Sequence, residues 1–312
     1  MYILINNHNY NVNSIYNRKM EKYLCTKILG DGECGKIMLC ENKLNNEKVV
    51  IKIMNKTKNC HMDFIKSDVS ISLLVGSSHK NLLQTIEAFV NEKTETGYIV
   101  SKYIENSYDM LELINDDDKM DYLYENIKIM IDIFVQITDA LNYLHNLDIL
   151  HLDIKPDNVI INDTYTPVLI DYGLSCTYET YKYEILNCMN YKIFGTFVYI
   201  SPEVLNVNSI NEIGQYSDIF SLGILFYLVY TKGRHPLKDT NLLVSQLINR
   251  RDGTFTYIDL IESHSEEDSY QQFSHVTIEL NKLIRSMVSY KPTGRPSLLY
   301  VKTCLTNMIR DR

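Results

Sequence analysis

The segment GDGECGKI at residues 30–37 limits the folds open to this chain more than any other feature, because two phosphate-binding patterns overlap in it. Gly30, Gly35 and Lys36 fit G-x-x-x-x-G-K, the start of a P-loop. Gly30, Gly32 and Gly35 fit G-x-G-x-x-G, a glycine-rich loop. Both loops bring backbone N–H groups against phosphate oxygens, so the residues on either side must decide between them.

The flanking residues favour a loop between two strands. A P-loop needs Ser or Thr directly after its lysine, since that hydroxyl ligates Mg²⁺, and a helix begins there. Ile37 stands at this position, and KIMLC continues as a strand; YLCTKIL before the glycines also reads as a strand, and KVVIKI at 48–53 as a third. These patterns exclude a P-loop GTPase. A plain hairpin turn stays the alternative for the glycines alone.

Composition narrows the class of protein. Of 312 residues, 45% are hydrophobic and 22% charged, as in a soluble globular protein, and the net charge of −8 argues against nucleic-acid binding. The longest apolar stretch, 219–230, is too short to span a bilayer, and the N-terminus does not resemble a signal peptide. Seven cysteines without a C-x-x-C pair predict neither a zinc site nor a disulfide set. We expect an intracellular, cytoplasmic protein in a reducing compartment, without a membrane partner.

Two further segments carry the chemistry. HLDIKPDN at 151–158 follows a segment whose apolar residues recur at helical spacing, and PVLIDYGLS at 167–175 ends an apolar strand. The first resembles H-R-D-L-K-P-x-N, with Leu152 replacing arginine, and the second contains a D-Y-G that resembles D-F-G. VVIK at 49–52 resembles V-A-I-K, with Val50 in place of alanine. With these motifs, the chain resembles the eukaryotic protein kinase family, in its serine/threonine-specific branch.

The resemblance implies an α+β, two-lobed fold. A flexible lead-in, 1–20, would precede an N-lobe at 21–103, formed by an antiparallel sheet and helix C. A mainly helical C-lobe would follow at 104–312, so that one kinase domain spans about 23–309. In this family, ATP and Mg²⁺, with Mn²⁺ as an alternative ion, bind in the cleft between the lobes.

Site residues follow by position from the same resemblance. Asp153 would accept or orient the proton of the attacking hydroxyl, and Lys155 would neutralise charge on the γ-phosphate. Asn158 and Asp171 would ligate the metal ion. Ser101 falls at the gatekeeper position beside the adenine, and Lys52 would pair with the α- and β-phosphates. The ATP-binding set implied in this way is Leu29, Gly30, Gly32, Gly35, Ile37, Val50, Lys52, Ser101, Lys102 and Ile104.

Later motifs concern the scaffold and the substrate class. GTFVYISPE at 195–203 resembles G-T-x-x-Y-x-A-P-E, and the resemblance implies an ion pair between Glu203 and Arg295. Asp218, on an apolar helix, would brace the backbone of the catalytic loop. Lys155 and Thr196 match serine/threonine kinases, so the expected partners are proteins with Ser or Thr acceptors, whereas the sequence leaves the oligomeric state open.

The first departure from the family is on helix C. The glutamate that pairs with the strand lysine in active kinases is missing, and its expected position is Ser70. Asp68 lies two residues away, about 200° around a helix. Either Asp68 substitutes through a shifted helix register, or other contacts hold Lys52; a solvated surface acid is the plain alternative for Asp68.

The second departure is Leu152. In the family, the arginine at this position grips a phosphorylated residue of the activation segment, here Asp171 to Glu203. Without it, phosphorylation of this segment should matter less, unless Lys182 or Lys192 takes over. Cys34, within the glycine loop, is either a reactive thiolate near backbone N–H groups or a tolerated small residue.

An active serine/threonine kinase is the leading interpretation, because the groups that handle phosphate, metal and nucleophile are all present. The alternative is a pseudokinase, a scaffold that binds nucleotide or partners without efficient turnover. The missing helix-C glutamate supports it. A kinase acting on small molecules comes third, because the segment with Gly-Thr and Pro-Glu resembles one that binds a peptide substrate.

Overall fold

The chain forms two compact units. The computed structural model describes residues 3–5, 8–10, 20–32, 34–177, 185–188, 198–205, 213–235 and 275–310. The first unit is built mainly from Met1–Glu105, and the second mainly from Asn106–Thr180 and Leu186–Arg312. The predicted lobe boundary, residue 103, lies just before this division.

The first unit contains a five-stranded antiparallel sheet. Its strands are β3 (Tyr23–Gly32), β4 (Gly35–Asn42), β5 (Lys48–Asn55), β6 (Thr85–Asn91) and β7 (Thr96–Lys102), and their order in the sheet is β3-β4-β5-β7-β6. β-branched and other apolar residues alternate with polar ones along these strands, and buried side chains such as Met38, Val49 and Ile51 form the core on one face. Two short strands, β1 (Ile3–Ile5) and β2 (His8–Tyr10), pair with each other within the segment predicted as a lead-in.

One helix, α1 (Met62–Val75), belongs to this unit. It buries Ile65, Ile71 and Val75 completely. Its contact with the sheet is close at Gly97 on β7, where an added side-chain carbon would lie 2.3 Å from Cγ2 of Ile65. The helix that carries Asp68 is therefore packed directly on the strands, as predicted for helix C.

The second unit is mainly helical. Its long helix α4 precedes HLDIKPDN, as the helical spacing of apolar residues there predicted, and it buries Ile133, Ile137, Leu141 and Leu144. The helices are α2 (Met110–Ile114), α3 (Asp117–Glu125), α4 (Ile127–Asn146), α5 (Pro202–Leu205), α6 (Gln215–Tyr230), α7 (His275–Met287) and α8 (Leu298–Arg310). Short strands accompany them: β8 (Ser107–Asp109), β9 (Ile149–Leu150), β10 (Val159–Asn162), β11 (Pro167–Leu169) and β12 (Cys176–Thr177). The predicted α+β class is confirmed.

The apolar segment 219–230 lies in α6, which is buried on all sides between Ser217 and Tyr230. It is therefore a core helix of the second unit. Within the described ranges, no helix has the length and apolar character needed to cross a membrane.

The prediction of no disulfide set is wrong. Three bridges are present: Cys25–Cys40 joins directly opposite residues of β3 and β4, Cys34–Cys60 joins the glycine loop to the residue before His61 at the start of α1, and Cys176–Cys188 closes a loop after β12. Only Cys304 is free. An odd count and the lack of C-x-x-C say nothing about which cysteines the fold brings together, so the sequence pattern could not exclude bridges. Cys34 is thus neither a free thiolate nor merely a tolerated small residue.

Candidate active site

The glycine segment is a hairpin of β3 and β4. Gly30 lies opposite Ile37, and Gly32 lies opposite Gly35. Gly35 has a φ of +151°, and a side-chain carbon there would lie 1.9 Å from the carbonyl oxygen of Ile53. Only glycine fits this approach of the loop to β5. The segment therefore connects two strands, as the prediction required, and no helix follows it.

The two lysines that could meet phosphate differ in their surroundings. Lys36 is 43% exposed, with its Nζ 3.8 Å from a carboxylate oxygen of Asp31 at the loop surface. Lys52 lies on β5 between Ile37 and Ile99 of the neighbouring strands, and its side chain is 22% exposed. Lys52 is therefore the less exposed of the two lysines.

Lys52 forms an ion pair with Asp68 of α1. Its Nζ lies 2.7 Å from Oδ2 of Asp68, whose side chain is only 3% exposed. Ser70, the position at which the family pattern places an acid, is half-buried, and Asp63 is exposed at the start of the helix. The contact expected from a shifted helix register is therefore present, and the interpretation of Asp68 as a solvated acid is wrong.

The predicted adenine side lies at the end of β7. Ser101 is 2% exposed and pairs with Val50 of β5. The backbone N–H of Lys102 donates to the carbonyl of Gln84 at 2.9 Å, while its side chain is exposed. The remaining members of the set differ in exposure: Ile104 and Ile37 are half-buried, and Leu29 is 43% exposed. Their role in binding adenine stays a prediction.

In the second unit, the catalytic loop holds Asp153 through two neighbours. Lys155 donates from Nζ to Oδ2 of Asp153 at 2.8 Å, and Asn158 donates from Nδ2 to the same oxygen at 2.7 Å. Asn158 also donates to the backbone carbonyl of Asp153 at 2.8 Å. Oδ1 of Asp153 accepts no hydrogen bond from the described part of the chain. The loop thus fixes the carboxylate and leaves one oxygen for another donor.

Asp218 braces this loop from α6, as predicted. It is fully buried, and its two oxygens accept hydrogen bonds from the backbone N–H groups of His151 at 2.9 Å and Leu152 at 2.7 Å. Nε2 of His145 lies 2.8 Å from the same carboxylate. Leu152 has a φ of 60°, an uncommon value for a side chain of this size. The buried carboxylate fixes the backbone that carries Asp153.

The segment that contains Asp171 is tied to the same loop. The N–H of Ile170 donates to the carbonyl of Asn158 at 2.9 Å, and the N–H of Gly173 donates to Oδ1 of Asp171 at 3.1 Å. Tyr172 is 2% exposed, and its ring contacts that of His151 edge to face. A backbone hydrogen bond thus ties Asn158 to the residue directly before Asp171.

The predicted ion pair of the scaffold is present. Arg295 donates from Nη1 and Nη2 to the two oxygens of Glu203 at 2.6 and 2.8 Å, and both side chains are buried. Arg295 also donates to the carbonyls of Tyr216, Ser289 and Tyr290, so its charge is fully solvated by protein. Thr196, which the sequence singled out for substrate class, lies outside the described residues.

An apolar cluster surrounds Leu152. The residue is 6% exposed and packs with Cys176, Cys188 and Ile200, the first two of which form the third disulfide. The N–H of Thr177 donates to the carbonyl of Leu186 at 2.9 Å, which pairs the two sides of the bridged loop. Sequence reasoning found the lost arginine but missed what replaces it. Two cysteines on either side of a short segment after D-Y-G were the available signal.

Two hydroxyl-bearing residues of the activation segment are buried. Ser175 is 0% and Thr177 is 1% exposed, and Oγ of Ser175 donates to the carbonyl of His151. Neither hydroxyl can meet another enzyme without local unfolding. Thr180, Lys182 and Lys192 lie outside the described residues. Burial and the negative charge of Asp157 raise the pKa of Tyr199 above its usual range.

Comparisons with known proteins agree with this arrangement. Residues 23–307 match the protein kinase domain. A putative serine/threonine-protein kinase of Acanthamoeba polyphaga mimivirus, R436, is 27% identical over 286 residues, covering 91% of this chain and 94% of that protein. The serine/threonine-protein kinase Nek1 of Mus musculus is 28% identical over 281 residues, covering 89% of this chain and 21% of Nek1.

A relative from a plant is also a protein kinase of similar identity to this chain. CBL-interacting protein kinase 28 of Oryza sativa subsp. japonica is 26% identical over 286 residues, covering 91% of this chain and 58% of that protein. The chain spans less than two thirds of the length of this relative and of Nek1. Because the kinase domain match covers most of its length, the chain belongs to the protein kinase family.

Proposed function

We propose that this protein transfers the γ-phosphate of ATP to serine and threonine hydroxyls of protein substrates. The observation that carries the proposal is the geometry of Asp153. Two neighbours fix Oδ2 of its carboxylate and leave Oδ1 as the acceptor for a substrate hydroxyl. A carboxylate placed in this way can take the hydroxyl proton as the oxygen attacks phosphorus.

The first unit supplies groups that suit phosphate. Gly35 lets the backbone of the loop lie close to β5, and Lys52 brings a positive charge that Asp68 orients. A lysine without such a partner would sample many rotamers and would spend a smaller fraction of its time in a productive position. Asp68 therefore serves the role for which the family uses a glutamate.

A divalent cation fits the oxygen atoms of the second unit. Oδ1 of Asn158 accepts no hydrogen bond from the described residues, because Nδ2 makes both contacts to Asp153. That amide oxygen and the carboxylate of Asp171 are hard ligands of the kind that Mg²⁺ prefers. No group of three or more His, Cys, Asp or Glu side chains in the described ranges could hold a metal. Mg²⁺ bound by few protein ligands and by substrate phosphates needs none, and it would neutralise phosphate charge.

The serine/threonine class rests on two supports. Lys155 lies two residues after Asp153 and contacts it, as in the serine/threonine pattern. Two of the relatives named above, R436 and Nek1, carry serine/threonine-protein kinase names. The scaffold alternative has lost its main argument, because an acid does pair with Lys52.

The test is transfer of labelled γ-phosphate to a protein that offers serine, threonine and tyrosine, followed by identification of the phosphorylated amino acid. We expect phosphoserine and phosphothreonine. Phosphotyrosine alone would overturn the substrate class. Nucleotide binding without any transfer, with several acceptor proteins tried, would favour the scaffold.

A further inference from the structure

The Cys34–Cys60 bridge joins the two elements that handle phosphate in the first unit. Cys34 lies in the turn between β3 and β4, and Cys60 immediately precedes the N-cap residue of α1. The same helix presents Asp68 to Lys52. A single covalent bond therefore connects the tip of the glycine loop to the base of the helix that orients the phosphate-binding lysine.

The surroundings of the bridge fix both ends. The N–H of Asn55 at the end of β5 donates to the carbonyl of Cys34 at 2.8 Å. Thr57 accepts from the N–H of Cys60 through Oγ1 at 2.9 Å and donates its own N–H to the carbonyl of Cys60 at 2.9 Å. The side chain of His61 makes no capping hydrogen bond to the helix. The bridge at Cys60 is a covalent anchor directly before this N-cap residue.

The two sulfurs differ in access. Cys34 is half-buried, whereas Cys60 is 1% exposed within a cluster that includes Met54, Ile65 and Val69. Cys34 is therefore the more accessible of the two residues and the end at which a thiolate from outside would attack. The Cys176–Cys188 bridge has both residues fully buried, whereas Cys25–Cys40 has the same graded access but joins two strands and does not reach α1.

We propose that Cys34 and Cys60 form a reversible thiol–disulfide pair, a modification site that sets the affinity for ATP. The proposal rests on the function proposed above. In the bridged state, the loop is held against β5 and α1 and so is pre-organised to bind phosphate. In the reduced state, the loop tip is free to move and must be ordered when ATP binds, which weakens binding.

The chemistry is thiol–disulfide exchange with a dithiol reductant. One thiolate of the reductant attacks Sγ of Cys34, the Cys34–Cys60 bond breaks, and Cys60 leaves as a thiolate that is then protonated. In the mixed disulfide, the second thiolate of the reductant attacks the first sulfur of the reductant, the bond to Cys34 breaks, and Cys34 leaves as a thiolate that is then protonated. Two electrons and two protons pass to the cysteine pair, and the dithiol becomes a disulfide.

The experiment compares the full chain before and after treatment with dithiothreitol, with the state of each cysteine mapped by mass spectrometry. The dissociation constant of ATP with Mg²⁺ should rise by about three- to tenfold on reduction and return on reoxidation. Cys34→Ser/Cys60→Ser should bind weakly in both conditions. Cys25→Ser/Cys40→Ser, which removes another bridge of the same sheet, should respond as the wild type does.

A second readout does not depend on activity. Hydrogen exchange of the amides in residues 30–37 should speed up on reduction, while exchange at the Cys25–Cys40 site stays slow. Unchanged affinity and unchanged exchange, with Cys34 and Cys60 shown to be reduced, would overturn the proposal. So would two free thiols at these positions that no oxidant joins. If no ATP binds in either state, the proposed function fails, whereas the exchange rates still decide on the bridge.

Discussion

At the scale of single residues, the acid on α1 determines how the phosphate-binding lysine is held. Aspartate is one methylene shorter than glutamate, so its carboxylate must start from a position nearer to the lysine. Asp68 meets this condition because it lies on the buried face of the helix, whereas Ser70 is only half-buried. The departure from the family pattern is thus a change of position along the helix, and it retains the ion pair.

Asp68→Ala should lower kcat/KM for phosphate transfer by about tenfold or more, because Lys52 loses its partner and an unpaired charge remains in a half-buried site. Asp63→Ala changes an exposed acid of the same helix and is the matched control. Steady-state kinetics with a protein substrate measure both. Unchanged kinetics of Asp68→Ala would remove this acid from the site.

The position of the acid can be tested separately. Ser70→Glu combined with Asp68→Ala places a glutamate where the family pattern has one. We expect the double variant to stay at the level of Asp68→Ala, because position 70 lies about 200° around the helix from position 68 and points away from Lys52. Recovery of the wild-type rate would contradict a shifted register.

Ser101 gives a residue-scale prediction about the nucleotide. It is buried on β7 and carries only a hydroxymethyl group, so the pocket behind the adenine should accept a larger base. ATP analogues with a bulky substituent on N6 should act as phosphate donors. Ser101→Phe should lower the ratio of analogue to ATP usage by about tenfold or more, through steric overlap. Rejection of the analogues by the wild type would place the adenine elsewhere.

At the scale of elements, the segment after D-Y-G is stabilised by packing and a covalent bond. Leu152 and the Cys176–Cys188 bridge lie in one apolar cluster, and the bridged loop pairs with β12 through Thr177. A phosphate group would find no positive charge at Leu152. In this protein, apolar contacts occupy the position at which the family uses an arginine and a phosphorylated residue.

Phosphatase-treated protein should therefore transfer phosphate as fast as protein phosphorylated on the activation segment. Ser175 and Thr177 are buried and should not be modified in the folded state. Rates are compared between samples whose phosphorylation is mapped by mass spectrometry. A large gain in rate from phosphate on any residue of the segment 171–203, Thr180 included, would show that another basic group replaces the arginine.

At the scale of the whole molecule, local motifs predicted the scaffold well. The hairpin at Gly30 to Gly35 followed from the strands on either side of it. The Glu203–Arg295 pair joins residues 92 apart and followed only from the resemblance to the family. The buried helix α6 was equally accessible, because an apolar segment too short for a bilayer has to lie in a protein core.

Pairings between distant residues that the family pattern does not contain could not be predicted in the same way. Asp68 contacts Lys52 because of the way α1 is rotated about its axis on the sheet. The sequence does not fix this rotation to within one or two residues of the helix. Cys34 and Cys60 are 26 residues apart, and nothing in their spacing shows that β5 and the start of α1 bring them together. Such contacts depend on how the elements pack against each other, which amino-acid composition and hydrophobic periodicity do not predict.

Transfer and binding measured together on Asp153→Ala test the central claim most directly. We predict that γ-phosphate transfer to serine and threonine falls by about a thousandfold or more, while the affinity for ATP with Mg²⁺ stays close to that of the wild type. Asp157→Ala, an exposed acid of the same loop, is the control. Equal transfer by wild type and Asp153→Ala would contradict the catalytic assignment.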